Sequence, residues 1–242
     1  IIRLSSPVFN IFNILALPRY GNFFFDWCRF LRAGGKAAIL EFYPCLNDKT
    51  AVTGIDAHYF YQAIWAFKKI LDSNTKHHVD VGSKVEFVGL LTTINDVTFI
   101  DIRPLELKLD RYAGKKGSIL ALPFNDSAVS SLSSLHVIEH VGLGRYGDPI
   151  DPDGTKKACR ELQRIMVPGG NLYLSLPVGK SRTCFNAHRV HAPKQILEYL
   201  PKLELRQFSV VDDEGNFHED VSYSSWDNLT YGCGMFHFVK HL

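Results

Sequence analysis

The 242-residue chain reads as an α/β fold: a three-layer sandwich on a seven-stranded, mainly parallel sheet whose last strand is antiparallel, preceded by an N-terminal helical extension. Three observations predict this. From residue 77 onward, short β-branched runs alternate with amphipathic stretches. The stretch from Thr155 to Met166 sets Ala158, Leu162 and Ile165 on one face and keeps Lys157, Arg160, Glu161 and Arg164 mostly off it, as a helix lying on a sheet requires. The tail, LELRQFSVV then GMFHFVKHL, holds two strand-like runs with no helix between them, so the sheet closes with an antiparallel pair.

Residues 1–55 form the extension, in which Pro7, Pro18, Gly21, Gly34, Gly35 and Pro44 punctuate short apolar pieces, and residues 56–242 form the α/β domain. Asp56 is a natural N-cap for a helix carrying Tyr59, Ala63, Ala66 and Ile70 at helical spacing and ending at Asp72-Ser73-Asn74. HHVDV is the first strand, Phe87 to Leu91 lies in a helix, VTFID is the next strand, and VSSLSSLHVI follows after a loop. Pro168-Gly169-Gly170 is expected to stop the following helix before the strand NLYLSLP. Parallel strands with right-handed crossovers gather their functional loops at the strand C-termini, here after Val81, Asp101, Ile138 and Leu176.

Composition excludes several classes. Hydrophobic residues at 46% and charged residues at 21% match folded globular chains and exclude disorder or a fibrous repeat. With 27 Lys and Arg against 25 Asp and Glu and no long basic run, nucleic acid is not an expected partner. Cys28, Cys45, Cys159, Cys184 and Cys233 are odd in number and form no CxxC pair, which fits a reducing, cytoplasmic setting. The apolar run VFNIFNILALP is too short to span a bilayer, is interrupted by Asn10 and Asn13, and lacks a small-residue cleavage site, so export is not expected. Together with FFFDW it offers residues 8–25 for peripheral membrane contact. Nothing in the sequence sets an oligomeric state.

The first chemical constellation is VDVGSKVEF. Gly82 lets the backbone approach a ligand closely, and the helix opening near Val85 presents free N–H groups. Asp101 ends the next strand about 20 residues on, where an acid accepts hydrogen bonds from ribose hydroxyls. The bland alternative is that Asp80 caps a turn and Asp101 is a solvated strand end.

Four segments in order, VDVGSK, FIDIRP, GSILALPFNDSAVSSLSSLHVIEHV and ACRELQRIMVPGGNLYLSLP, make residues 77–178 resemble the class I S-adenosylmethionine-dependent methyltransferases. DAHYFYQAIW and GRYGDPIDPDG are similar to a methyltransferase-like branch catalogued as a domain of unknown function. The resemblance implies a Rossmann-like fold with S-adenosylmethionine as cofactor. Asp80, Gly82, Ser83 and Lys84 would hold its methionine end, Asp101 and Ile102 its ribose, and Ser118, Ile119 and Leu120 its adenine, with Ser134 and Leu135 bordering the methionine moiety. The chain departs from the pattern where Lys84 replaces a second Gly and Ser118 replaces an Asp.

Two further stretches concern an acceptor. In EHVGLGRYGDPIDPDG, His140 is the leading general base, and Arg145, Tyr146 and Asp148 face a small-molecule acceptor. Asp148, Asp151 and Asp153 have the spacing of oxygen ligands for a hard cation, but a rigid capped turn explains them as well, and no metal site is assigned. In VGKSRTCFNAHRVH, Lys180, Arg182, His188 and Arg189 supply donors for a polar or anionic acceptor such as a sugar or nucleotide-sugar hydroxyl, a solvated basic loop being the alternative. Tyr59, Gln62 and Trp65 fit a core face better than a site lining. The sequence therefore points to methyl transfer to a small polar acceptor. The alternative is a non-catalytic binding or scaffold protein, in some settings membrane-docked.

Overall fold

The computed structural model describes residues 18–103 and 105–241, which divide into two compact units, one up to residue 55 and one from residue 56 onward. In the first unit, helix α1 (Arg19–Arg32) starts behind Pro18, which costs no hydrogen bond at a helix entrance. Phe42, the buried residue of this unit, is packed edge-on by Phe23 and Trp27 at centroid distances of 5.1 and 5.0 Å. Of the expected membrane-contacting segment, residues 8–17 lie outside the described residues; the rest falls in and just before α1, where Phe24 and Phe25 are exposed. No helix among the described residues is long and apolar enough to cross a membrane.

The second unit opens with α2 (Ala57–Asp72), capped by Asp56, whose carboxylate accepts from Tyr59 N at 3.3 Å. There follow β1 (His77–Val81), α3 (Val85–Leu91), β2 (Asp96–Asp101), β3 (Tyr112–Lys116) and β4 (Val129–Leu135). Then come α4 (Gly154–Ile165), β5 (Met166–Val178), a short hairpin of β6 (Arg182–Cys184) and β7 (His188–Val190), α5 (Pro193–Tyr199), β8 (Leu203–Val211), β9 (Phe217–His218) and β10 (Gly232–Lys240). The main sheet has the order β3-β2-β1-β4-β5-β10-β8-β9. It contains eight strands rather than seven, because the two-residue β9 pairs antiparallel along the outer edge of β8. The expected antiparallel closure is β10, inserted between β5 and β8 and antiparallel to both.

Strand alternation separates the two faces. On β5, Leu172, Leu174 and Leu176 join α4 and α5 on one side, and Tyr173 joins α2 and α3 on the other. The helix stops just ahead of Pro168-Gly169-Gly170 as expected, but the strand that follows begins at Met166 rather than Asn171. The helix ends at Ile165, and the three residues lie within β5 at a bulge where pairing jumps from Val129↔Met166 to Ser131↔Asn171. Val167 precedes proline and is steered to extended backbone, so the helix stops ahead of it.

The sheet also holds buried polar groups with a thermodynamic consequence. His78 is fully buried between Ser131 Oγ (2.7 Å) and Ser133 Oγ (2.8 Å), and burial lowers its pKa to about 3. Burial likewise lowers His191 and His237 to about 4. Burial raises Asp80 to about 6. A histidine depressed from 6.5 contributes stability that is complete above that pH and is lost as pH falls toward its folded value. Asp80 opposes this, because an acid raised above 3.8 contributes stability at low pH that is lost as pH rises through 6. With His58, which burial also lowers to about 4, four histidines outweigh one aspartate. Stability is therefore expected to drop by on the order of 1–3 kcal/mol per pH unit between about pH 6.5 and 4. Urea midpoints across that range check this, and a stability that rose on acidification would contradict it.

Candidate active site

The sheet order reverses between β1 and β4: the chain leaves β1 toward β2 and β3, then crosses back to β4. A crevice at the strand C-termini forms at such a switch point. Here it has two connected arms sharing Gly82, Asp101, Arg103, His136, His140 and Tyr146. One is a narrow apolar cavity of about 150 Å³, walled by Ile100, Ile102, Ile119, Leu120 and Val137. The other is a polar cavity of about 620 Å³, reached by Tyr59, Lys84, Arg145, His188 and Tyr231.

The turn after β1 is held from below. Ser83 N donates to Asp80 Oδ1 (3.0 Å), Ser83 Oγ donates to Asp80 Oδ2 (2.7 Å), and Ser133 Oγ donates to the same oxygen. Ser133 lies opposite Asp80 in the β1–β4 register, so the contact follows from strand pairing. Asp80 is fully buried and does not line the crevice; its influence passes through Ser83, whose Oγ also accepts from Leu135 N at 3.0 Å. Gly82 has φ +73°, and a Cβ there would sit 2.9 Å from Val137 and 3.7 Å from Asp101 Oδ2. Only glycine leaves this floor open. Lys84 rests its Nζ 3.5 Å from the Tyr59 ring centroid, a cation–π contact that parks the ammonium on the wall of the polar arm.

Asp101 ends β2 with Oδ1 accepting from Arg103 N at 2.7 Å and Oδ2 turned toward Gly82. Ser118, Ile119 and Leu120 form a tight turn lining the apolar arm, with Ser118 Oγ accepting from Leu120 N at 3.2 Å. Leu135 lines the polar arm, whereas Ser134 is fully buried and donates to Val81 O at 3.0 Å, away from the crevice.

His140 closes a short 3-10 turn, Ile138–His140, and borders both arms. Its Nδ1 donates to Ala187 O at 2.6 Å, which leaves Nε2 as the basic nitrogen, 3.6 Å from Glu139 Oε1. Arg145 Nη1 donates to the same carbonyl at 3.2 Å, and the guanidiniums of Arg103 and Arg145 both lie over the Tyr146 ring, 4.6 and 5.2 Å from its centroid.

The loop acids are spent on their own turn. Asp148 accepts from Gly142 N (2.5 Å) and Tyr146 N (3.3 Å), and Asp151 pairs with Lys157 Nζ at 2.6 Å. The expected cluster of donors after β5 divides. His188 lines the polar arm, 4.8 Å from Tyr231, but Lys180 and Arg182 stay exposed outside the crevice. Arg189 is buried and clamps backbone, donating to Val141 O at 2.6 Å and Asp151 O at 2.9 Å. Of the α2 residues, Tyr59 lines the crevice, Gln62 is buried accepting from Ser175 Oγ, and Trp65 is in the core.

Sequence reasoning missed a buried histidine that borders both arms. His136, directly after β4, has φ +54° and borders both arms. Its Nδ1 meets Glu139 Oε1 at 2.8 Å, both side chains being almost wholly buried. Burial alone would lower His136, but the facing Cys233 sulfur and Glu139 carboxylate outweigh it and push it up to about 10. The available signal was the i,i+3 spacing of His136 and Glu139 after a strand end, masked by the adjacent Glu139-His140 pair.

Residues 81–204, just over half of the chain, match the family model described as "Caenorhabditis protein of unknown function, DUF268". No curated protein matches the sequence. Among solved structures, the chain is similar to the N-methyltransferase NodS from Bradyrhizobium japonicum bound to S-adenosylhomocysteine, with 14% identity, 75% of this chain and 86% of that one covered, and a TM-score of 0.53. It is also similar to the Burkholderia thailandensis 1,6-didemethyltoxoflavin-N1-methyltransferase, with 11% identity, 77% and 80% covered, and a TM-score of 0.55. A chain of the complex between the Haloferax volcanii Trm112 methyltransferase activator and a methyltransferase matches with 14% identity, 76% and 90% covered, and a TM-score of 0.55. The chain thus belongs to the DUF268 family and carries the class I methyltransferase fold.

Proposed function

We propose that the switch-point crevice binds S-adenosylmethionine and that the protein transfers its methyl group to a small polar acceptor, of the sugar or nucleotide-sugar hydroxyl class. The observation carrying this reading is the joining of an open Gly82 floor and the Asp101 carboxylate to a histidine base in one crevice. The residues fit the cofactor. The apolar arm between Ile102, Ile119 and Val137 suits an adenine, Asp101 Oδ2 is free for ribose hydroxyls, and the Lys84 ammonium is placed to meet the methionine carboxylate. When bound, S-adenosylmethionine supplies an electrophilic methyl on a sulfonium, and the chain's own task is to hold the acceptor in line and take its proton.

His140 is the base of this account. Its Nδ1–H is committed to Ala187 O, so Nε2 receives the proton, and the buried Glu139 carboxylate stabilises the imidazolium that results. Arg103 and Arg145, both over the Tyr146 ring, and His188 on the same polar arm give the acceptor hydrogen-bond donors and positive charge. Lys180, Arg182 and Arg189 have no part in it. His140→Gln is expected to cut turnover by about 100-fold while leaving S-adenosylhomocysteine affinity unchanged. S-adenosylhomocysteine formation across a panel of sugars and nucleotide sugars checks this. Unchanged turnover in the variant would remove His140 from the mechanism, and no product with any acceptor would contradict methyl transfer itself.

A further inference from the structure

His58, His136 and Cys233 come from three separate elements: the first turn of α2, the residue after β4, and the start of β10. They meet because β10 runs antiparallel, so its first residues lie beside the C-terminal end of β5, with Cys233 opposite Pro177. One ligand atom from each lies within 4.8 Å of the other two. From this convergence we propose that His58, His136 and Cys233 form a binding site for a borderline-soft divalent transition metal of the zinc class, with Glu139 as the carboxylate that orients His136.

The donor set is imidazole, imidazole and thiolate, which suits zinc and not magnesium or calcium. Ligand atoms around tetrahedral zinc are roughly 3.3–3.6 Å apart, so side-chain adjustments of about 1 Å bring these three together. His136 is oriented for this role, and a metal bound there would displace the ring proton that the Cys233 sulfur and the Glu139 carboxylate otherwise favour. Its Nδ1 is held by Glu139 Oε1 at 2.8 Å, the carboxylate–histidine pairing that fixes a metal-binding tautomer, and this leaves Nε2 as the ligating atom. Among the described residues that buried Nε2 has no hydrogen-bond partner. A buried imidazole nitrogen without a partner is costly unless something occupies it. His58 stacks on His136 and on Tyr231 at centroid distances of 5.5 and 5.1 Å, so it is held beside the cluster, and its partly exposed ring turns out of the stack to aim a nitrogen at the shared point. Cys233 is fully buried beside Gln62. Three protein ligands leave a fourth position, as in zinc sites that bind water or substrate. Because His136 and Tyr231 also line the polar arm, the site adjoins the crevice.

The proposal does not depend on methyl transfer and is tested without cofactor. The full chain, stripped with chelator, is titrated with Zn(II) and with Co(II), following metal content after desalting and the Co(II) visible spectrum. One tightly held equivalent and a thiolate-to-Co(II) charge-transfer band are expected. Cys233→Ser should abolish the band, and His58→Ala should weaken binding at least tenfold. Glu139→Gln should weaken it about 10- to 100-fold, whereas Cys28→Ser and Cys45→Ser, at exposed positions, should change nothing. A wild-type chain without the band, or a band that survives Cys233→Ser, would overturn the proposal. If Cys233→Ser fails to fold by circular dichroism, the partly exposed His58→Ala decides: unchanged affinity overturns the site.

Discussion

Substituting alanine for Asp101 is expected to weaken S-adenosylhomocysteine binding by two to three orders of magnitude. Of its two carboxylate oxygens, Oδ1 is taken by Arg103 N at 2.7 Å, and Oδ2 faces the Gly82 floor where the ribose would lie. A charged acceptor for a ribose hydroxyl contributes about 1.5–3 kcal/mol per hydrogen bond, and two hydroxyls share this group. At a ligand concentration 100 times the wild-type dissociation constant, wild type gains about 2.7 kcal/mol of stability; a variant binding 100-fold more weakly gains only about 0.4 kcal/mol. Thermal midpoints with and without ligand read the difference. A variant stabilised as much as wild type would place the ribose elsewhere.

Arg189→Leu is expected to destabilise the unliganded chain by about 2–4 kcal/mol. The buried guanidinium donates to Val141 O and Asp151 O; leucine leaves Val141 O without a donor, while Asp151 O keeps only Gly154 N at 3.1 Å. These carbonyls bracket the loop that carries Arg145, Tyr146 and Asp148, so the loop should loosen with the clamp. Urea denaturation measures the loss. Were Arg189 an anion-binding residue, as its sequence neighbourhood suggests, the variant would keep its stability and lose only acceptor affinity.

The two predictions mark where the sequence was readable. Asp80, Gly82 and Asp101 are separated by one strand-helix-strand unit, so local periodicity alone places the turn and the acid at one sheet edge. The antiparallel last strand was legible from two strand-like runs with no helix between them, but its insertion between β5 and β8 was not, because strand order is set by contacts distant in the chain. Neither β9, two residues that owe their pairing to β8, nor β3, an exposed edge strand in the stretch read as a loop, shows an apolar periodicity of its own. Side-chain destinations set by distant contacts were also hidden. Arg189 looks like any loop arginine until the Val141 and Asp151 carbonyls are brought beneath it. His58, His136 and Cys233 are so far apart in the chain that only the finished sheet unites them. His78 and Asp80 sit in one strand, but whether they are buried depends on the serines of β4, which their own segment cannot reveal.

As a cofactor site, the crevice at the β1–β4 switch point must bind the demethylated cofactor in the absence of any acceptor. Isothermal titration of the full chain with S-adenosylhomocysteine tests it most directly. The account predicts saturable binding of one equivalent, with loss of affinity in Asp101→Ala and in Gly82→Val, whose side chain would fill the floor against Val137. Absence of binding by a folded wild-type chain, or equal affinity in both variants, would contradict it.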